Sequence, residues 1–310
     1  MGDSRRQRRQ PPTIFEYPHH LRADAEALPA APGVYLFHGA PGEDGRAALP
    51  LYIGKSVDLR ARVLAHLRNA DEAAMLRQAR HIGHERPAGE LSALLREAQL
   101  VKQRQPLFNR QLRRTRQLCA VRLDDASGAG HDTPSDPAPR LVFSGDVDFA
   151  RTPGLHGLFA SRRAAVDALH ALADAERLCL GLLGLEPLAP GRGCFRASLR
   201  RCAGASRGDE PLAAHAVRLR AALAAWRVVC WPWPGAVGLV ERDGDFTQVS
   251  VVRDWCYLGS APALDAARRL DRAASGAAVA FDADVYRLLL RPLLAGTPGV
   301  EVVTWDPPAG

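Results

Sequence analysis

Lysine is nearly missing from this chain of 310 residues: among 41 basic residues only Lys55 and Lys102 are lysines, and arginine supplies the others. A general preference for arginine explains the depletion, and Lys102 reads equally well as chance survival. Even so, each remaining lysine is a candidate for a place where a compact ammonium works and a planar guanidinium does not. Cysteine is also scarce. The six present, Cys119, Cys179, Cys194, Cys202, Cys230 and Cys256, are too few and too scattered for a disulfide scaffold in a chain this long. Thiols or metal ligands are what remain. There is no run of about eighteen apolar residues, and the first twelve residues are polar and basic with no apolar core, so neither a membrane span nor a secretion signal is expected. The expected location is the cytoplasm. No internal repeat stands out.

What is abundant is positive charge. The net charge is +7, and the excess gathers at Arg5, Arg6, Arg8 and Arg9, at Arg110, Arg113, Arg114 and Arg116, and at Arg200 and Arg201. Clusters of this kind suit a polyanion, although scattered arginines on solvated faces would give the same composition.

The length predicts two domains, each able to bury its own core. Residues 1–16 read as a basic flexible tail. Residues 17–116 form the first compact unit. Gly33-Val34-Tyr35-Leu36-Phe37 reads as a short buried strand, and Leu51-Tyr52-Ile53-Gly54 as a second one pairing with it antiparallel. Ser56 is a candidate cap for a helix whose Leu59, Val63, Leu64 and Leu67 recur at helical spacing. Arg62 and His66, four apart, flank that stripe on one face. A further helix is expected over 88–104, with Glu97 at the margin of its apolar stripe and Pro106 after its end. Residues 117–140 read as a strand and a loop or linker rich in Gly, Pro, Asp and Ser. Residues 141–310 read as a second α+β domain, with helices near 161–178, 211–227 and 282–290, a hairpin turning at Asp243-Gly244, and a strand over 300–305.

The triplets Gly33-Val34-Tyr35 and Tyr52-Ile53-Gly54, followed in order by Lys55, Arg62, His66, Glu97 and Asn109, resemble the active site of the GIY-YIG endonuclease family. The implied fold is α+β, a small antiparallel sheet flanked by helices, and the implied chemistry is metal-assisted cleavage of a phosphodiester. Such a reaction needs an aligned, deprotonated water and stabilisation of charge on the phosphate oxygens. Glu97, the only acid between Ser92 and Arg104, would hold one Mg²⁺ or Mn²⁺. The alternative is a salt bridge to Arg96 or Arg104. Tyr35 and Tyr52 would face the cleft and orient or deprotonate the water, with Lys55 lowering the pKa of a phenol that at about 10 is otherwise a poor base. Arg62 would grip the phosphate, His66 would shuttle a proton or hold the water, and Asn109 would bond the phosphate or fix a catalytic side chain. The base stays open among Tyr52, Tyr35 and His66. Arg110, Arg113, Arg114 and Arg116 are the candidate DNA-binding residues.

Within that family, the segment from Leu51 to Val63 resembles the N-terminal nuclease of the repair protein UvrC. Stretches further on, among them Asp71 to Gln78, Gly181 to Pro187, Arg201 to Gly204 and Val229 to Trp233, resemble the shorter UvrC homologues over the whole chain. The resemblance implies nucleotide excision repair, with one incision on the 3′ side of a bulky lesion in damaged double-stranded DNA marked by UvrA and UvrB. A stand-alone structure-specific or restriction-type nuclease is the alternative, and a non-catalytic scaffold is a third reading that the intact residue set disfavours. Cys179, Cys194 and Cys202 resemble the first three of four cysteines in UvrC-type proteins, a pattern compatible with an iron-sulfur cluster. The fourth falls on Ser206, so buried free thiols are expected in place of a cluster.

Overall fold

The computed structural model describes residues 15–41, 48–109, 117–123, 138–188, 193–274 and 281–305; the N-terminal arginines and Arg110, Arg113, Arg114 and Arg116 lie outside the described residues. Three antiparallel sheets follow one another along the chain.

The first is built on β1 (Gly33–His38), whose continuous apolar run is buried along almost its full length. It lies between β2 (Pro50–Ser56) and β3 (His81–Glu85), so the order is β2-β1-β3. The third strand has no apolar alternation and was not expected. Side chains alternate across the pleat. Tyr35 and Phe37 point to one face, into a core with Leu59, Val63, Leu67, Met75 and Leu76. That core is closed by α1 (Arg22–Ala27), α2 (Leu59–Leu67) and α3 (Ala73–Gln78). Val34, Leu36 and Ile53 point to the other face and meet Ala93, Leu100 and Val101 of α4 (Glu90–Arg104).

Two helix ends sharpen the sequence reading. The cap of α2 is Asp58, whose Oδ1 accepts from Ala61 N at 2.9 Å. Ser56 belongs to β2 instead, and its hydroxyl donates to the Asp58 carbonyl at 2.7 Å. At the other boundary α4 ends in a left-handed residue, Gln105 with φ 48°, and Pro106 prevents the helix from resuming.

The second sheet has the order β5-β4-β6, made of β4 (Cys119–Arg122), β5 (Arg140–Phe143) and β6 (Leu155–Phe159). It is covered by α5 (Arg162–Ala175), capped by Ser161. Then come a short α6 (Phe195–Ser198) and α7 (Leu212–Ala224). The region beyond residue 141 therefore shares a sheet with the strand at Cys119 and carries another sheet of its own. That last sheet has the order β10-β7-β8-β9, with β7 (Val237–Asp243), β8 (Phe246–Arg253), β9 (Cys256–Ala261) and β10 (Glu301–Thr304). Helices α8 (Leu264–Ala274) and α9 (Ala283–Leu294) accompany it. The hairpin turns at Asp243-Gly244 as expected. The return from β8 to β9 was not expected, because its two left-handed residues are Asp254 and Trp255, with φ 53° and 60°, and not glycine.

Helix α4 belongs to two cores. Leu91 and Leu95 pack with Val237, Leu239, Val252 and Trp255 of the last sheet, while its opposite side covers the first sheet. Among the described residues no helix is long and apolar enough to cross a membrane.

Candidate active site

Tyr35 sits opposite Gly54 in the β1–β2 register, and Phe37 opposite Tyr52. The glycine is needed there. A Cβ at position 54 would stand 2.5 Å from the Tyr35 hydroxyl oxygen and 3.0 Å from the Tyr52 ring, well inside van der Waals contact. The two phenol rings are thereby brought to a centroid separation of 6.1 Å.

The Tyr35 hydroxyl, in a side chain only 1% exposed, lies 2.6 Å from His66 Nε2. The opposite ring nitrogen, Nδ1, bonds Glu72. Since an ionised carboxylate only accepts, Nδ1 carries the proton and Nε2 accepts from the tyrosine. Glu72 is the functional residue that the sequence reading missed. It lies on a 3-10 turn after α2, where Asn69 Nδ2 also donates to it at 3.1 Å. Burial pushes the Glu72 carboxyl up, but the bonds from His66 and Asn69 with the nearby Arg62 outweigh that and hold it below its usual range.

Arg62 reaches the same place from the exposed side of α2. Its guanidinium beside the Tyr35 hydroxyl is itself held more firmly protonated. Burial pushes the Tyr35 phenol up, with a smaller contribution from Tyr52 and with Arg62 opposing. Burial also raises Tyr52, with Tyr35 opposing and the carboxylates of Glu97 and Glu72 adding to the rise. The sequence reading gave Lys55 the task of lowering a phenol pKa. The structure gives that position to Arg62, because Lys55 Nζ is 2.8 Å from Glu90 Oε1 and exerts its charge on Glu97.

Glu97 stands on α4 where that helix crosses β2. Burial pushes its carboxyl up, and Lys55 opposes this with both its charge and its main-chain N–H. Arg96, one of the two arginines of the alternative salt bridge, is instead bound by Glu85 at 2.6 Å and by Gln99 at 2.6 Å. A half-buried carboxylate that burial makes costly to ionise is a hard oxygen donor that suits Mg²⁺ or Mn²⁺. Tyr52 packs with Tyr35 and His66, at ring-centroid separations of 6.1 and 5.6 Å, and feels the charges of Glu97 and Arg62.

Asn109 is tied to the backbone of β2. Its Oδ1 accepts from Ile53 N at 2.9 Å and its Nδ2 donates to Ile53 O at 2.8 Å. Together with the bond from Phe108 N to Leu51 O at 2.8 Å, this closes the free edge of β2. Its partner is the backbone between Tyr52 and Gly54, so it holds the tyrosine through the strand.

The thiols of Cys179, Cys194 and Cys202 are buried, and their sulfurs lie within 4.8 Å of one another. Ser206 Oγ is 3.2 Å from Cys179 Sγ and accepts from Cys194 N at 2.9 Å. Burial raises the Cys179 thiol, but the bonds from Ser206 and the main chain of Leu182 bring it below its usual value. A four-iron cube binds each thiolate through a separate iron and so spreads them around the cluster. Thiols this close, with a serine hydroxyl as the fourth group, do not fit one.

Three family models match the chain in succession: a UvrC-like GIY-YIG domain over residues 31–110, the middle domain of UvrC/Cho excinuclease over 132–225, and the excinuclease Cho C-terminal domain over 236–309. Excinuclease cho of Escherichia coli strain K12 is 50% identical over 294 residues, covering 95% of this chain and 92% of that protein. The protein of the same name from Salmonella typhi is 50% identical over 283 residues, covering 91% and 90%. Among solved structures, the magnesium-bound N-terminal endonuclease domain of UvrC from Thermotoga maritima is 27% identical, covering 28% of this chain and 93% of that one, with a TM-score of 0.25.

Proposed function

This chain belongs to the excinuclease Cho family and is a UvrC-related endonuclease of nucleotide excision repair; from that premise we propose that it incises DNA once, on the 3′ side of a bulky lesion presented by UvrB in the cytoplasm, using Glu97 and the tyrosine pair.

The observation that carries this reading is the joining of Tyr52 to the buried pair of Tyr35 and His66, at ring separations of 6.1 and 5.6 Å, within electrostatic reach of the half-buried Glu97 carboxyl. A divalent ion on Glu97 would supply electrostatic stabilisation of the charge on the phosphate oxygens. The chain's own residues do the rest. Tyr52, the less buried of the two phenols, takes the proton of the attacking water. It passes its own proton to Tyr35, and Tyr35 passes its hydroxyl proton to His66 Nε2. Glu72 stabilises the imidazolium that forms, in the way a buried carboxylate supports histidine in hydrolases. Arg62 is exposed at its tip, and its forked donors face the scissile phosphate. Lys55 neutralises charge on the Glu97 side. Asn109 keeps β2 in register beneath Tyr52.

Incision of an end-labelled duplex with one bulky adduct, with and without UvrA, UvrB, ATP and Mg²⁺, tests the reading. The expected product is a single lesion-dependent 3′-side cut that requires UvrB. Glu97→Ala should abolish cutting and leave DNA binding within about twofold. Lesion-independent cutting without UvrA and UvrB would favour a stand-alone nuclease, and normal rates in Glu97→Ala would remove the site assignment.

A further inference from the structure

The helix that carries Glu97 has no cap of its own. Its first residue outside is Gly89, which offers no side-chain acceptor for the amides of the opening turn. Those amides are met from the last sheet. Leu91 N and Ser92 N donate to Glu241 Oε1 and Oε2, at 3.1 and 2.6 Å, and Glu241 lies on β7 with only 5% exposure. A Cβ at position 89 would collide with that carboxylate, so glycine there is the condition for its approach. Around it, Ala88 N donates to Gln248 Oε1 at 3.0 Å, and the buried hydroxyls of Ser92 and Ser250 are 3.1 Å apart. The other end of α4 is held as well: Lys102 pairs with Asp282, the cap of α9, and with Asp284 at 3.4 Å.

We propose that Glu241 is a positioning residue for Glu97, setting the axial position and rotation of α4 so that the metal-holding carboxyl meets the Lys55 N–H. This rests on the reading that Glu97 holds the divalent ion. An ionised carboxylate receiving two amides at a helix N-terminus makes charge-assisted bonds along the helix dipole, which is stronger and more directional than apolar packing alone. Glu97 lies six residues beyond Leu91, ~9 Å along the axis, and the intervening helix is a stiff rod. A shift at the capped end is therefore delivered to the acid. Residues that orient a metal ligand typically change metal affinity or activity by about 10-fold to 100-fold when altered.

The test uses the full-length chain with Glu241→Gln, which keeps the shape but sets an amide donor against one of the two N–H groups. Mn²⁺ binding to the DNA-free protein is followed by electron paramagnetic resonance, hydrogen exchange of residues 89–104 is measured without metal, and incision is titrated with Mg²⁺. The expected result is Mn²⁺ affinity weakened about 10-fold, faster exchange in the first turns of α4, a higher Mg²⁺ midpoint, and unchanged DNA affinity. Arg242→Ala, on the same strand but exposed and paired with Glu301, should leave all four readings alone. If Glu241→Gln does not accumulate folded, Lys102→Gln at the opposite end should raise the Mn²⁺ dissociation constant in the same direction. Unchanged Mn²⁺ affinity in a folded Glu241→Gln protein, with Glu97→Gln losing binding, overturns this proposal alone. Unchanged binding in Glu97→Gln would instead overturn the metal assignment.

Discussion

Replacing Glu72 by glutamine removes one charge from behind His66 and leaves nearly the same volume. The His66 side chain is 3% exposed and that of Glu72 28% exposed, so the pair is mostly shielded from solvent. Two unit charges at about 4 Å interact by roughly 4 kcal/mol at an effective dielectric of 20. Partial exposure and rearrangement leave a fraction of that, on the order of 1.4–2.7 kcal/mol. The neutral imidazole is the form that accepts the Tyr35 proton. With its carboxylate gone the imidazolium that forms is less stabilised, so the plateau of the pH–rate profile should fall about 10-fold to 100-fold. If glutamine also turns the imidazole to the wrong tautomer, the loss can approach the ~10⁴-fold seen when a triad carboxylate becomes an amide. Single-turnover incision of the adduct duplex between about pH 5.5 and 9, at fixed Mg²⁺, reads the plateau. A plateau identical to that of the unaltered enzyme would refute the proton route through His66. Stability gives an independent reading. The folded Glu72 carboxyl is held below its reference value of 4.5, so its contribution is fully present above that pH and is lost as pH falls through the folded value. The melting temperatures of the two proteins should accordingly separate at neutral pH and converge in acid.

Gly54→Ala would place a methyl group against the Tyr35 hydroxyl, and the expected outcome is loss of incision by about 100-fold or more with the DNA-binding constant little changed; a fully active alanine variant would show that the phenol pair need not be this close. Glu97→Gln should melt higher than the unaltered protein when both are metal-free at neutral pH. The folded Glu97 carboxyl is raised by burial, so its favourable contribution exists below the unfolded value and is lost as pH rises through the folded one. The gain should shrink toward pH 4 and on adding Mn²⁺, both followed by calorimetry, and an equal or lower melting point would contradict the burial argument.

Much of the site was legible because it is written in contiguous runs. Val34 to Phe37 and Leu51 to Gly54 are short apolar stretches with turn signals at their ends, and the stripe of Leu91, Leu95, Ala98 and Val101 repeats at helical spacing. What stayed hidden depends on distant contacts. β3 reads His81-Ile82-Gly83-His84-Glu85, with one large apolar residue, and becomes a strand because β1 offers it a free edge. Glu72 carries no local mark of function; only the turn after α2 swings it behind His66. The signal available was an acid six residues beyond a helical histidine, which is too common to single out. Asn109 was found by its place in the motif, but its bond to Ile53 needed the chain path after Pro106. The role of Arg62 over Lys55 at the phenol depends on the pleat, because Lys55 shares the face of Ile53, which α4 covers, whereas Arg62 comes from α2 on the face of Tyr35.

Because Leu91 and Leu95 are buried with Trp255 and Val237 while Ala93 and Val101 cover Val34 and Ile53, cutting the gene near codon 110 would divide a shared interior and not a seam. A fragment ending there would turn two leucines and a pair of bare amides toward water on the very rod that bears the acid. Module swapping between nucleases of this architecture should therefore succeed only when the recipient brings a matching carboxylate-bearing strand along with the catalytic third.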